Sequence, residues 1–150
     1  MPLIEIKTIL NADIQTCFDL SRDIDFHKAS LVHSKEKAVA GKTSGLIGLN
    51  EWVTWEAFHF GIKQQLTSKI IAFDAPKYFV DEMVSGAFKS FKHEHIFKQE
   101  NNQTIMTDRF QFESPFGIFG KLANRLFLKQ YMINLLKTRN QFLKEQIESR

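Results

Sequence analysis

Apolar and polar positions change their spacing along this chain. Residues 3–10 read as a strand, with Leu3, Ile4, Ile6, Ile9 and Leu10 set among polar residues. Asn11-Ala12-Asp13 offers capping side chains to a helix beginning near Ile14, where Cys17, Phe18 and Leu20 or Ser21 fall at helical spacing. Asp23 to Ala29 reads as a second short helix. Gly41, Gly45 and Gly48 break the next stretch, beside a short strand from Glu36 to Ala40. From Asn50 the period becomes two, giving strands at 50–58, 61–73, 77–84, 87–100 and 103–114. They are separated by His59-Phe60-Gly61, Asp74-Ala75-Pro76, Ser85-Gly86 and Asn101-Asn102, all suited to tight turns. Ser114-Pro115-Phe116-Gly117 closes the last strand. From Phe119 to Ile147 the spacing returns to three or four, with Phe119, Leu122, Leu126, Ile133, Leu136, Leu143 and Ile147 on one stripe that Phe127, Leu135 and Phe142 widen.

The order is therefore strand, two helices, six further strands and one long helix. Without βαβ alternation an antiparallel sheet is expected rather than a parallel one, so the expected class is α+β. A curved antiparallel sheet of seven strands would wrap the C-terminal helix in a single domain over residues 1–150.

The last hairpin can be read in register. A two-residue turn at Asn101-Asn102 puts Phe91 opposite Phe112, His93 opposite Phe110, His95 opposite Asp108 and Phe97 opposite Met106, all on one face. Lys92, Glu94 and Lys98 meet Gln111, Arg109 and Ile105 on the other face, which is the solvent side. A turn at His59-Phe60 places Glu56 opposite Lys63 and Thr54 opposite Gln65, leaving Val53, Trp55, Ala57, Ile62, Gln64, Leu66 and Ile70 inward. The hairpin over 77–90 has two readings. A plain Ser85-Gly86 turn puts Tyr78, Val80 and Glu82 on the His93 side, and a one-residue bulge puts Phe79, Asp81 and Met83 there.

The chain has 150 residues, the size of one domain, and is 43% hydrophobic with 15 Phe. So many rings suit either a dense core or the wall of an apolar pocket. The net charge of +3 is scattered rather than gathered into a basic stripe, so no nucleic-acid partner is expected. Cys17 stands alone and has no disulfide partner. Neither a signal-peptide pattern nor an apolar run of about 18 residues occurs, which points to a cytoplasmic protein without stable membrane insertion. Self-association, including a homodimer, is left open.

Phe79-Val80-Asp81-Glu82-Met83, then Gly86-Ala87-Phe88, then Phe91-Lys92-His93-Glu94-His95-Ile96-Phe97 resembles a bacterial ligand-binding branch of the START-like (SRPBCC) superfamily, related to polyketide cyclase/dehydrase-like proteins. Thr107-Asp108 and Pro115-Phe116-Gly117 follow where that branch has them. The resemblance spans nearly the whole chain and implies the helix-grip fold with an internal cavity for a small hydrophobic or lipid-like molecule. That superfamily holds carriers, cyclases and sensors, so the fold does not fix the chemistry.

The expected wall comprises Trp55, Leu66, Phe91, Phe97, Met106, Phe110, Phe119, Leu122, Leu126 and Phe127. Gln64, His93, His95 and Asp108 are its polar groups, and a packed core seldom carries four polar side chains on one sheet face. A hydrogen bond between His95 and Asp108 is expected, with His93 turned to the cavity. The catalytic candidates are His95, Asp108 and His93, for an enzyme using His95 and Asp108 as an acid–base pair. No nucleophile, base and orienter set accompanies them, and the expectation leans to binding without catalysis. Two histidines and Asp108 could ligate a metal, but with no fourth ligand in view no metal or other cofactor is expected. Ser114 to Gly120 suits either a lid or a tight strand-to-helix turn, Cys17 a buried position and Asp13 a cap.

Overall fold

The computed structural model describes residues 3–31, 35–59, 61–86, 88–113 and 118–149, with the side chains of 118–126 excepted. Strand β1 (Leu3–Leu10) is followed by helices α1 (Ile14–Ser21) and α2 (Ile24–Ser30) and strand β2 (Lys37–Gly41). Strands β3 (Trp52–His59), β4 (Ile62–Asp74), β5 (Tyr78–Gly86), β6 (Ser90–Glu100) and β7 (Gln103–Glu113) then lead to helix α3 (Ile118–Glu148). The seven strands form one antiparallel sheet in the order β1-β7-β6-β5-β4-β3-β2. This is the expected α+β helix-grip architecture. Of the segment expected as a lid or tight turn, 114–117 lie outside the described residues and 118–120 open α3.

Local chemistry accounts for the helix starts. Asp13 accepts a hydrogen bond from the Thr16 amide at 3.1 Å, and Asp23 accepts one from the Phe26 amide at 3.2 Å. Each satisfies an amide that the first helical turn leaves without a partner.

The β6–β7 register is the expected one, from Ser90 opposite Glu113 to Glu100 opposite Gln103. Asn101 takes a φ of 55° in the turn, a conformation that asparagine tolerates better than most residues. In β3–β4 the register differs from the expectation by two residues. Glu56 faces Gln65 and Phe58 faces Lys63, and His59–Ile62 is the closing pair. Gly61, with φ of 71°, is the residue that can take a left-handed turn conformation, so it lies in the turn and not in the strand. A shift of two preserves the faces, which is why Val53, Trp55 and Ala57 still point inward. Between β5 and β6, Phe79 faces His95 and Asp81 faces His93. The bulged reading is therefore the one observed. An extra residue at Val84 in β5 and another at Ile71 in β4 adjust the pairing of these two strands.

Two apolar clusters fill the space inside the sheet. The first gathers Leu10, Cys17, Phe18, Phe79, Phe97, Met106, Leu143 and Ile147 beneath α1, with Phe18 edge-on to Phe73, Phe79 and Phe97. The second gathers Ile4, Phe91, Phe110, Phe112, Met132 and Leu136 beneath α3. Between them the sheet carries its polar groups. No helix among the described residues is long and apolar enough to cross a membrane.

Candidate functional site

Three strands and one helix meet around five ionisable side chains. Asp81 comes from β5, His93 and His95 from β6, Asp108 from β7 and Arg139 from α3. Strand alternation turns all four strand residues to the concave face, because Asp81 opposes His93 and His95 opposes Asp108.

The hydrogen bonds cross this register diagonally. Nε2 of His93 lies 2.8 Å from Oδ1 of Asp108, and Nε2 of His95 lies 2.8 Å from Oδ2 of Asp81. The expected His95–Asp108 bond is not formed; Nδ1 of His95 stays 3.7 Å from Oδ1 of Asp108. The two imidazoles stack with centroids 3.8 Å apart, and Phe79 stacks on the outer face of His95 at 4.0 Å.

Asp108 is fully buried and crowded with donors. Arg139 donates to Oδ1 through Nη2 at 2.6 Å and Asn140 donates to Oδ2 at 2.7 Å. Arg139 also donates to the side-chain Oδ1 of Asn140, and the Asn140 amide nitrogen donates to the Thr8 hydroxyl on β1 at 3.2 Å. Three donors thus engage the carboxylate, two of them on the Oδ1 that His95 faces. Burial opposes ionisation of Asp108, but Arg139, then His93 and His95, overcome it and hold the carboxyl well below the usual carboxylate range. Asp81 is lowered too: burial works against ionisation, but the hydrogen bond from His95 and the charges of His93 and Arg139 prevail.

His95 moves the other way. Burial, then His93, depress it to about 4 despite the Asp81 bond. It is neutral at pH 7, and the bond to an ionised Asp81 fixes its proton on Nε2. Nδ1 is therefore a bare acceptor, and it is buried without a hydrogen-bond partner among the described residues.

His93, His95, Asp81 and Arg139 form part of the wall of a cavity of about 460 Å³ between the sheet and α3. Of the residues expected to bind ligand, Trp55, Gln64, Leu66, Phe91, Phe110 and Phe127 also reach this cavity. Phe127 stands at its edge, 63% exposed. Phe97 and Met106 do not reach it. Expected as wall, they belong to the packed cluster that α1 covers, a cover that spacing along α3 alone could not foresee. Asp108 is also outside the lining, behind His93. Phe119, Leu122 and Leu126 lie outside the described side chains.

Several lining groups carried no signal in the strand register. Arg139 was one of them. It and Asn140 sit on the helical repeat that runs through Met132, Leu136, Leu143 and Ile147, and two polar residues on that stripe were the available clue. A second polar group lies elsewhere on the wall. Nδ1 of His59 is 2.6 Å from the Tyr131 hydroxyl, and His27 lies 3.5 Å from Glu36 and against the Trp55 ring. Glu36 is buried, and its Oε2 has no hydrogen-bond partner among the described residues.

No protein-family model and no curated protein sequence matches the chain. Solved structures do. TTHA0849 from Thermus thermophilus superposes with a TM-score of 0.81 at 19% identity, over 99% of this chain and 98% of that one. A START superfamily protein from Mycobacterium smegmatis gives 0.74 at 11% identity, over 98% and 97%. The major latex-like protein 151 of Panax ginseng gives 0.72 at 12% identity, over 97% of each chain. Near-complete coverage in both directions leaves no room for a different architecture, and the chain has the helix-grip fold that these structures share.

Proposed function

We propose that this protein binds a small, largely apolar molecule between its sheet and α3, holding the molecule's polar end at the His93–His95 wall. The observation that carries this reading is the cavity of about 460 Å³, a volume suited to a ligand of modest size. Trp55, Leu66, Phe91, Phe110, Met132 and Leu136 supply apolar lining, and burying a ligand's apolar surface there is favourable at roughly 25 cal/mol per Å². Asp81 offers a hydrogen-bond acceptor on one side, Gln64 and Tyr131 polar groups on another. The fold shared with a START superfamily protein supports the same reading. Its role would be that of a carrier or sensor.

Native mass spectrometry of protein purified without detergent tests this, together with titration by an environment-sensitive fluorescent probe such as anilinonaphthalene sulfonate. Binding of one probe per chain, displaced by fatty acids or aromatic compounds, is the expected result. A chain that carries no added mass and leaves the probe dark across an apolar library would overturn the proposal.

A further inference from the structure

We propose that Glu36 is the acceptor for a hydrogen-bond-donating group on the cavity ligand, a hydroxyl or a protonated amine. This deepens the binding function proposed above and rests on it.

Glu36 stands one residue before β2, where Lys37 pairs with Glu56 and Ala38 with Trp55. Alternation along an extended chain puts Glu36 on the inward face with Ala38, while Lys37 is exposed on the other. Glu36 is 9% exposed and lines the cavity. Its Oε1 lies 3.5 Å from Nε2 of His27, whose ring packs against Trp55 with centroids 4.6 Å apart. Its Oε2 is buried and has no hydrogen-bond partner among the described residues. Arg22 and Arg139 also reach the cavity but are engaged elsewhere. Arg22 pairs with Asp19 and donates to the Ile47 carbonyl, and Arg139 donates to Asp108 and Asn140.

A buried carboxylate oxygen without a donor is costly. Water serves such an oxygen only while solvent reaches the cavity. A ligand that fills the space excludes that water, so it either brings a donor of its own or strands the carboxylate. A wholly apolar ligand thus loses part of what its burial gains. A ligand that brings a second carboxylate to this place adds like-charge repulsion. A hydroxyl supplies the missing hydrogen bond, and an ammonium group supplies it with a compensating charge. The Trp55 ring beside His27 adds an aromatic surface that suits a cation.

The donor is a different group from the one proposed to face His93 and His95. In the sheet, β2 and β6 are separated by β5, β4 and β3. Four strand spacings amount to about 19 Å along the curved surface, too far for one small polar group to touch both places.

The test is displacement of the neutral fluorophore Nile red from the full chain at pH 7 by decylamine, decan-1-ol and decanoic acid. These share one carbon chain and differ in the end group. Wild type should bind the amine or the alcohol at least about tenfold more tightly than the acid, and the tighter of the two identifies the donor. Glu36→Gln should reduce that preference to about twofold or less, with Nile red affinity itself within about twofold of wild type. An acid that binds wild type as tightly as the amine and the alcohol overturns the inference, a comparison that needs no variant. So does a preference that survives in Glu36→Gln. Either result leaves the binding function standing, whereas Nile red that stays dark with wild type overturns both.

Discussion

Nε2 of His93 lies 2.8 Å from Oδ1 of Asp108 although the sheet places His95, not His93, directly opposite that aspartate. The diagonal exists because α3 intervenes. Arg139 and Asn140 descend from the helix onto the Asp108 carboxylate, and Asn140 continues to Thr8 on β1. A buried carboxylate thereby joins β6, β7, β1 and α3, which closes the sheet around its helix.

That junction should be costly to break on one side only. Asp108→Ala leaves the Arg139 guanidinium buried without its counter-charge, at about 3–5 kcal/mol of unfolding free energy. Arg139→Met strands the carboxylate at a similar cost. The double variant Asp108→Leu/Arg139→Met removes both charges and should lose clearly less than the sum. Urea denaturation of the four proteins checks this. Single variants within about 1 kcal/mol of wild type would show that the network does not hold the helix to the sheet.

Phe97 separates core from cavity. It lies 3% exposed in the cluster under α1, edge-on to Phe18, and does not reach the cavity. Phe97→Ala should cost about 3–5 kcal/mol while a fluorescent probe binds the folded variant with affinity within about twofold of wild type, well under 1 kcal/mol. A parallel fall in probe affinity would return Phe97 to the binding wall.

Most of the architecture was legible because period two and period 3.6 are read directly from residue type. The Asn101-Asn102 hairpin was readable to the residue, since one short turn with no bulge fixes every later pair. Gly61 and the extra residues at Val84 and Ile71 broke that condition elsewhere. The faces survived an error of two in β3–β4 because side-chain direction repeats every two residues. The polar site was only half legible. Sequence alternation put His93, His95 and Asp108 on one face, but partner choice depended on Arg139, which arrives from an element 31 residues further along the chain. Asp81 stayed undecided because its strand could be turned either way. The division of the inner face between α1 and α3 depends on how helices dock, which strand spacing does not encode.

Ala57 offers a direct measure of the cavity. It is buried on β3, opposite Gln64, with its methyl group on the cavity wall. Ala57→Phe should extend a ring into that space, so probe affinity falls about tenfold or more, equivalent to about 1.4 kcal/mol. The thermal midpoint should hold or rise, because the ring fills volume rather than displacing packed atoms. A large loss of stability would mean that the space beside Ala57 is already filled.

Tyr131 and Glu36 report on the second polar group of the wall. Burial raises the Tyr131 phenol above its ordinary value, and the nearby Glu36 carboxylate raises it further. Removing the charge with Glu36→Gln should therefore lower the Tyr131 pKa without returning it fully to about 10, the value of a free phenol. Tyr78 is the only other tyrosine and is raised as well, by burial and then by Glu94. A Tyr78→Phe background isolates the signal. Absorbance at the phenolate band, titrated with alkali, gives the comparison. The folded pKa exceeds the unfolded one, so the contribution of Tyr131 to stability is complete below about pH 10 and is lost as pH rises through the folded value. Glu36→Gln narrows that window from above. Superimposable titration curves would show that the Glu36 charge does not reach the phenol, and the two side chains would then not act as one polar surface toward a ligand.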